Sequence, residues 1–304
     1  MALSPQQAID VVNRTFGRHS GYRALHAKGI LLKGTFTATP QAAQLTRAPH
    51  MQGAPTPATF RFSNGSGNPR QPDYAPDPRG LAVKLYLPDG ARTDIVAVTS
   101  PRFPTKTPEG FIELLGAQSG GLAAAWKMPL FLARHPEALA AIPRIAPSLI
   151  APSSYAVASY YGLHAFKWVG ADGSERYVRY TLAPQAPGSR LAPWRARALG
   201  RDYLREELRE RIGRAPVRFT FEVQIAEPGD PTDDPSAAWP SRRRRERVGT
   251  FELTGLETER ETGDDVLVFD PSRVSDGIEC SSDPVLLFRP SAYSESVARR
   301  TAPQ

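Results

Sequence analysis

The stretch "VRFTFEVQI" (217–225) puts Val217, Phe219, Phe221, Val223 and Ile225 on one side of an extended chain. Arg218, Thr220, Glu222 and Gln224 fall on the other. A period of two sustained over nine residues predicts a strand with one face against a core and the other face polar. Working outward, further strand-like runs appear at 29–39, 59–63, 81–87 and 93–99, separated by turn clusters such as "NGSGNPRQPD" (64–73) and "LPDGARTD" (87–94). Two more, 163–169 and 175–182, flank "GADGS", a hairpin turn. Helical spacing appears at 5–19 and 201–212, and 108–145 reads as mainly helical with proline breaks. The order is strands, helices, strands, helix, strand. That lacks the regular alternation of a doubly wound sheet. It predicts an α+β fold: an antiparallel sheet or β-barrel with helices packed outside.

The chain has 304 residues, enough for a substantial core, with 40% hydrophobic and 23% charged residues, as in ordinary soluble proteins. A single cysteine, Cys280, excludes an intrachain disulfide. The first residues, "MALSPQQAID", lack the pattern of a secretory leader. The most apolar run, 121–133, contains Lys127 and Pro129 and is shorter than the roughly 20 residues a membrane helix needs. A cytoplasmic protein without stable membrane insertion is therefore expected. Much of the net charge of +7 comes from "SRRRRER" (241–247). No aromatic residues interleave it, so it reads as a solvated loop and no nucleic-acid partner is expected.

The common catalytic templates are absent. There is no phosphate-binding loop of the Gly-x-x-x-x-Gly-Lys type, no His-Glu-x-x-His and no Gly-x-Ser-x-Gly. His19, His26, His50, His135 and His164 have no metal-ligand spacing. Taken alone, His26 in "RALHAKG" (23–29) reads as a packed core histidine.

Four blocks change that reading: "RALHAKG" with "GTFTAT" (34–39), "FRFS" (60–63), "DPRGLAVKLYLPDG" (77–90) with "TDIVAVTSPRF" (93–103), and "VFDPSRVSDGIECSSDPVLLFRPSAY" (268–293). "YGLHAFKWV" (161–169) and "AAWP" (237–240) lie between them. In this order they resemble the catalase family over most of the chain. The resemblance implies one catalase-like domain over residues 1–304, with haem b in a buried pocket. It implies His26 as distal acid–base and Ser63 as its hydrogen-bond partner, with Phe103 and Phe111 along the distal channel. Tyr293 is the implied axial iron ligand, with Arg289 on its oxygen and His164 and Asp283 behind that arginine. Arg23, Arg61 and Arg300 are implied partners of the haem propionates. Chemistry agrees: an unperturbed phenol titrates near ~10, so Fe(III) and an adjacent guanidinium are needed to favour the phenolate. Arginines fork onto carboxylates.

Two departures from full catalases matter. Val98 occupies the position of the family's distal asparagine, with Thr99 beside it. The chain also begins about two dozen residues before His26 and stops 11 after Tyr293, without the long N-terminal arm and C-terminal helical region of full catalases. Both resemble the short catalase-related peroxidases. The expected activity is reduction of hydrogen peroxide or organic hydroperoxides by small organic electron donors. His26 would move a proton from one peroxide oxygen to the other, and catalase activity would be weak. The alternatives are a fatty-acid hydroperoxide isomerase or dehydratase of the allene-oxide-synthase type, and a non-enzymatic haem-binding protein. Sequence leaves the physiological donor and any homo-oligomer open.

Overall fold

Aromatic side chains fill the inside of a closed antiparallel barrel. The computed structural model describes residues 3–119, 124–258 and 266–302. Among these are strands β1 (Gly29–Ala38), β2 (Thr56–Asn64), β3 (Arg79–Tyr86), β4 (Arg92–Val98), β5 (Tyr160–Tyr161), β6 (Phe166–Val169), β7 (Glu175–Pro184), β8 (Val217–Ile225), β9 (Arg245–Leu256) and β10 (Ile278–Cys280). Pairing runs β1-β2-β3-β4-β5-β7-β8-β9 and returns to β1, an eight-stranded ring. β6 pairs with the first half of β7, on the edge that β5 takes further along, and β10 adds to β6. The α+β expectation holds.

β8 shows why the ring closes on itself. Val217, Phe219, Phe221 and Val223 are buried, as their alternation requires. Phe36, Phe221 and Phe251 pack as a triangle with ring centroids 4.7 to 5.8 Å apart. Phe60, Phe62, Tyr155 and Tyr160 complete the filling. Burying each such ring is worth roughly 1.5–3 kcal/mol. A barrel filled this way is a core, not a container. Any large ligand must sit outside it.

β2 is the key to where. Its residues from Ala58 to Asn64 are all buried, so both faces are covered. Phe60 and Phe62 point inward, and Arg61 and Ser63 point outward. Ladder register extends that outer face into rows. One row is Gly29, Ser63, Gly80, Val98 and Tyr161; the next is Leu31, Arg61, Ala82 and Val96; a third is Lys33, Thr59, Lys84 and Asp94.

The helices are α1 (Pro5–Phe16), α2 (Pro40–Leu45), α3 (Pro108–Gln118), α4 (Ala124–Arg134), α5 (Pro136–Ile145), α6 (Pro193–Ala198), α7 (Tyr203–Arg214) and α8 (Pro284–Thr301). A capping box at Ser4 and Gln7 starts α1. Asp283 caps α8 by accepting from the Val285 and Leu286 amides. Arg299 joins α8 to Asp10 of α1 at 2.6 Å. No helix of the described residues is long and apolar enough to cross a membrane.

The run 241–247, read above as a loop, divides. Arg243 pairs with Asp230 at 2.8 Å and with Glu227 in a turn, whereas Arg245 to Arg247 already belong to β9. Strand period there is broken by a bulge at Phe221/Glu222 and by Gly249, whose absent Cβ makes room for the Phe36 ring.

Candidate active site

The segment carrying His26 is held by backbone hydrogen bonds beside the continuation of β2. His26 and Ala27 donate to the carbonyls of Gly65 and Ser66, and Asn64 donates to that of Lys28, each at 3.0 Å. Lys28, itself buried, is pinned to Asp73 at 2.6 Å and Asp202 at 2.8 Å. His26 has φ 57°, the one positive φ outside glycine among the described residues. Histidine tolerates that left-handed conformation better than most residues, but it costs energy and concentrates at functional positions. Here it turns the imidazole onto the outer face of the barrel.

There the His26 Nδ1 meets the Ser63 hydroxyl at 3.0 Å. A Cβ at Gly80 would lie 2.8 Å from His26 Nδ1 and 2.7 Å from Ser63 Oγ. Gly80 is therefore the floor on which the ring rests, and no side chain fits. The imidazole sits deep in the fold but is only partly shielded from solvent. Burial, then the charges of Arg61, Arg289 and Arg23, push its pKa down to about 3. At neutral pH it is an unprotonated base.

Val98 lies across the ladder from Gly80 and shares its face, next to His26. Thr99 does not. Its hydroxyl accepts from the Arg79 amide at 3.0 Å and reaches the Ser148 carbonyl at 3.4 Å. The structure thus brings His26, Ser63 and Val98 together and leaves Thr99 outside that group. Phe103 and Phe111 form a pair of their own, rings 4.9 Å apart.

α8 supplies the second set. Arg289, Tyr293, Ser296 and Arg300 follow one another at intervals of four, three and four, one helical stripe. Arg289 donates to the Tyr293 oxygen at 2.9 Å. Ser296 accepts from the Ala24 amide at 3.3 Å, fastening α8 to the His26 segment. Behind Arg289, the buried His164 Nδ1 is 2.6 Å from Asp283. Burial, with Arg289 next, pushes His164 down to about 4, so it is neutral. With Nδ1–H committed to the carboxylate, Nε2 is a bare acceptor, buried and without a hydrogen bond among the described residues.

Arg23 donates to the Leu267 carbonyl at 2.6 Å and lies over the Phe269 ring. Arg61 is buried and reaches the Ala27 carbonyl at 3.3 Å. A Cβ at Gly29 would stand 2.6 Å from its guanidinium carbon, which explains the glycine three residues after His26. Arg300 is also buried. The sequence reading missed Gly80 and the apolar patch of Leu31, Ala82, Val96, Leu267 and Phe269 beside Arg61. It also missed the Lys84–Asp94–Arg273 cluster (2.5 and 2.7 Å) that anchors the 267–273 segment under that patch. The signal for the patch was present, in the alternate residues of β1, β3 and β4.

A neutral histidine on the barrel's outer wall and an arginine-bound tyrosine on α8 thus belong to two segments that the Ser296–Ala24 hydrogen bond fastens together. The catalase family model matches residues 4–304, and the chain belongs to the catalase family. It is 52% identical to a catalase-related peroxidase of Mycolicibacterium paratuberculosis over 98% of this chain and 95% of that one. It is 36% identical to a catalase-related peroxidase of Synechococcus elongatus, covering 98% and 89%. The catalase of Methanosarcina barkeri is 27% identical, and the chain spans 59% of its length. In structure it superimposes on a fungal catalase with TM-score 0.82 at 24% identity, covering all of this chain and 64% of that one. Catalase A of Saccharomyces cerevisiae gives TM-score 0.81 at 24% identity, covering 99% and 65%. The chain is an oxidoreductase of the peroxidase type, acting on peroxide.

Family membership implies a haem cofactor, and the residues present fit one. A phenol oxygen is paired with a fixed cation on α8, and the His164 acceptor lies buried behind that cation. The apolar patch of Leu31, Ala82, Val96, Leu267 and Phe269 lies on the barrel wall in the row of buried Arg61.

Proposed function

We propose that the chain is a haem b peroxidase that reduces hydrogen peroxide or organic hydroperoxides with small organic donors and dismutates hydrogen peroxide weakly. The observation that carries this reading is the row Ser63, Gly80, Val98. It places a hydrocarbon side chain beside His26, where a hydrogen-bond donor would help to orient a second peroxide. Tyr293 would hold the iron, Arg289 would favour its phenolate, and Arg23, Arg61 and Arg300 would hold the propionates. The haem, when bound, supplies the metal to which peroxide binds and the electrons that open the O–O bond.

The chain's own residues handle the proton. His26, neutral at pH 7, accepts it at Nε2 from the peroxide oxygen nearer the metal. It returns the proton to the farther oxygen, which leaves as water or an alcohol. Ser63 on Nδ1 fixes the ring plane so that Nε2 points at both oxygens in turn. Val98 offers neither donor nor acceptor. It leaves that proton path intact but gives a second peroxide nothing to bind. An outside donor needs no such placement.

The test is a parallel measurement on the purified haem protein of dye oxidation and of oxygen evolution with hydrogen peroxide. Strong dye oxidation with slow oxygen release is expected, and the reverse refutes the reading. Incubation with a lipid hydroperoxide in the absence of donor should leave it largely unrearranged. Stoichiometric isomerised or dehydrated product would identify an isomerase or dehydratase instead. His26→Ala should keep haem and slow the peroxide-induced Soret change by about 10²–10⁴.

A further inference from the structure

We propose that Asp73 is a positioning residue for the His26–Ser63 pair: its buried carboxylate ties down both of the segments that carry the pair. The inference rests on the peroxidase reading and adds to its proton-handling group a residue that acts at one remove.

His26 and Ser63 are 37 residues apart in the chain and meet at 3.0 Å. Two residues after His26, the Lys28 Nζ donates to Asp73 Oδ1 at 2.6 Å. One residue after Ser63, the Asn64 Nδ2 donates to the same oxygen at 2.9 Å. The Asn64 amide also donates to the Lys28 carbonyl at 3.0 Å. A single carboxylate oxygen therefore joins a close neighbour of each member of the pair.

Asp73 is itself firmly placed. It is fully buried. Its Oδ2 accepts from the Leu204 amide at 2.9 Å, in the first turn of α7. Asp73 thus supplies the helix-terminal acceptor that the side chain of Asp202, at the N-cap position, does not. Asp202 instead reaches Lys28 at 2.8 Å. The Asp73 carbonyl accepts from Arg79 at 2.7 Å, and its amide donates to the Arg201 carbonyl at 2.9 Å. Asn64 is oriented as well. The buried Tyr155 hydroxyl donates to its Oδ1 at 2.7 Å, which leaves the amide nitrogen to face Asp73.

The pair needs such an anchor. His26 has φ 57°, a conformation that persists only where its surroundings over-determine it. The His26 and Ala27 amides donate to the carbonyls of Gly65 and Ser66, the two residues that follow Asn64. A shift of Asn64 against Lys28 is therefore a shift of Ser63 against the imidazole. Buried ion pairs add little net stability over apolar packing. What this one supplies is a location. A displacement of about 1 Å at a reacting group costs about 10²-fold in rate.

Two readouts test the assignment. In haem-free protein with isotope-labelled histidine, the Ser63 hydroxyl on Nδ1 should hold the neutral His26 ring in one tautomer, which the ring-nitrogen shifts identify. His26→Ala assigns the signal. Asp73→Asn should move it toward the mixed-tautomer position found in Ser63→Ala. In the haem protein, Asp73→Asn should slow the peroxide-induced Soret change by about 10–10²-fold at unchanged haem content. In a Ser63→Ala background the same substitution should have almost no further effect, because both act through one contact. Tyr155→Phe removes a single hydroxyl and no charge. It should act in the same direction to a smaller extent in both readouts, and it decides the question if Asp73→Asn does not fold. An unmoved His26 signal, or an equal loss of rate with and without the Ser63 hydroxyl, overturns the proposal. A wild-type haem protein that does not respond to peroxide overturns the peroxidase reading, and the imidazole signal still decides whether Asp73 positions the pair.

Discussion

Gly80 faces Val98 across the β3–β4 ladder, and the space its missing side chain leaves is the seat of His26. The two residues bracket the imidazole: one makes room for it, and the other determines what stands beside it. Val98→Asn should therefore place an amide next to His26 without moving the backbone. Oxygen evolution should rise relative to dye oxidation, by up to about 10²–10³-fold, the scale on which a single donor at a reacting oxyanion acts. An oxygen electrode and a dye assay on the same preparation measure that ratio, and a constant ratio contradicts the assignment.

Gly80→Ala tests the seat itself. A methyl group 2.7–2.8 Å from Ser63 Oγ and His26 Nδ1 forces both to shift. Overpacking of this kind costs about 1–3 kcal/mol. We expect a modest fall in Tm, retained haem, and a large loss in the rate of the peroxide-induced spectral change. A variant as fast as wild type would show that the His26–Ser63 pair is not needed.

Tyr293→Phe removes the phenol oxygen to which Arg289 donates on α8. Haem should be lost on gel filtration, with the Soret band leaving the protein peak. Arg289→Leu keeps the phenol but removes its cation, so haem should remain with an altered charge-transfer band. Normal haem content in Tyr293→Phe rejects the axial role.

Acid should destabilise the fold. His26, His50 and His164 are held near about 3, about 4 and about 4, burial being the leading cause in each. Their pKa values are depressed below the unfolded value of about 6.5, so the unfolded chain binds more protons as pH falls from 6.5 toward 4. Each group then costs about 1.4 kcal/mol per pH unit. Asp77, pushed up to about 6 by burial, acts in the opposite sense, as does Asp94, also pushed up by burial. The three depressed imidazoles outweigh Asp77 and leave a net loss of stability between pH 6.5 and 5. Denaturant midpoints should fall over that range, and His50→Gln, remote from the site, should flatten the slope by about one proton. A midpoint that rises toward pH 5 contradicts the burial of these imidazoles.

Sequence and structure agree where a single physical rule governs. β8 alternates without interruption, so both its strand character and its inward face are legible from Val217 to Val223. β9 is not, because Gly249 and the bulge opposite it break the alternation just after a run of arginines. The hydrogen-bonded pair His26 and Ser63 was accessible through resemblance, but Gly80 was not. Nothing in a glycine's letter says which face of a sheet its absent side chain would occupy. Thr99 illustrates the same limit. A one-residue slip exchanges the faces of a strand, and only the observed register, with Gly80 opposite Val98, assigns the hydroxyl to Arg79 and Ser148.

The Ser296–Ala24 contact ties positions 272 residues apart, and the whole barrel lies between them in the chain. Contacts of such sequence separation form late in folding, because the intervening chain must first be ordered. The barrel, closed by its own ladder and filled by its own rings, has no need of them. The molecule thus has two levels of assembly, a self-sufficient cylinder and a clasp across its outside wall. A cofactor gripped by both sides of the clasp would bias it shut by mass action. Under mild denaturant or proteolysis the clasp should open first, so that cofactor release precedes, and reports, the unravelling of the cylinder.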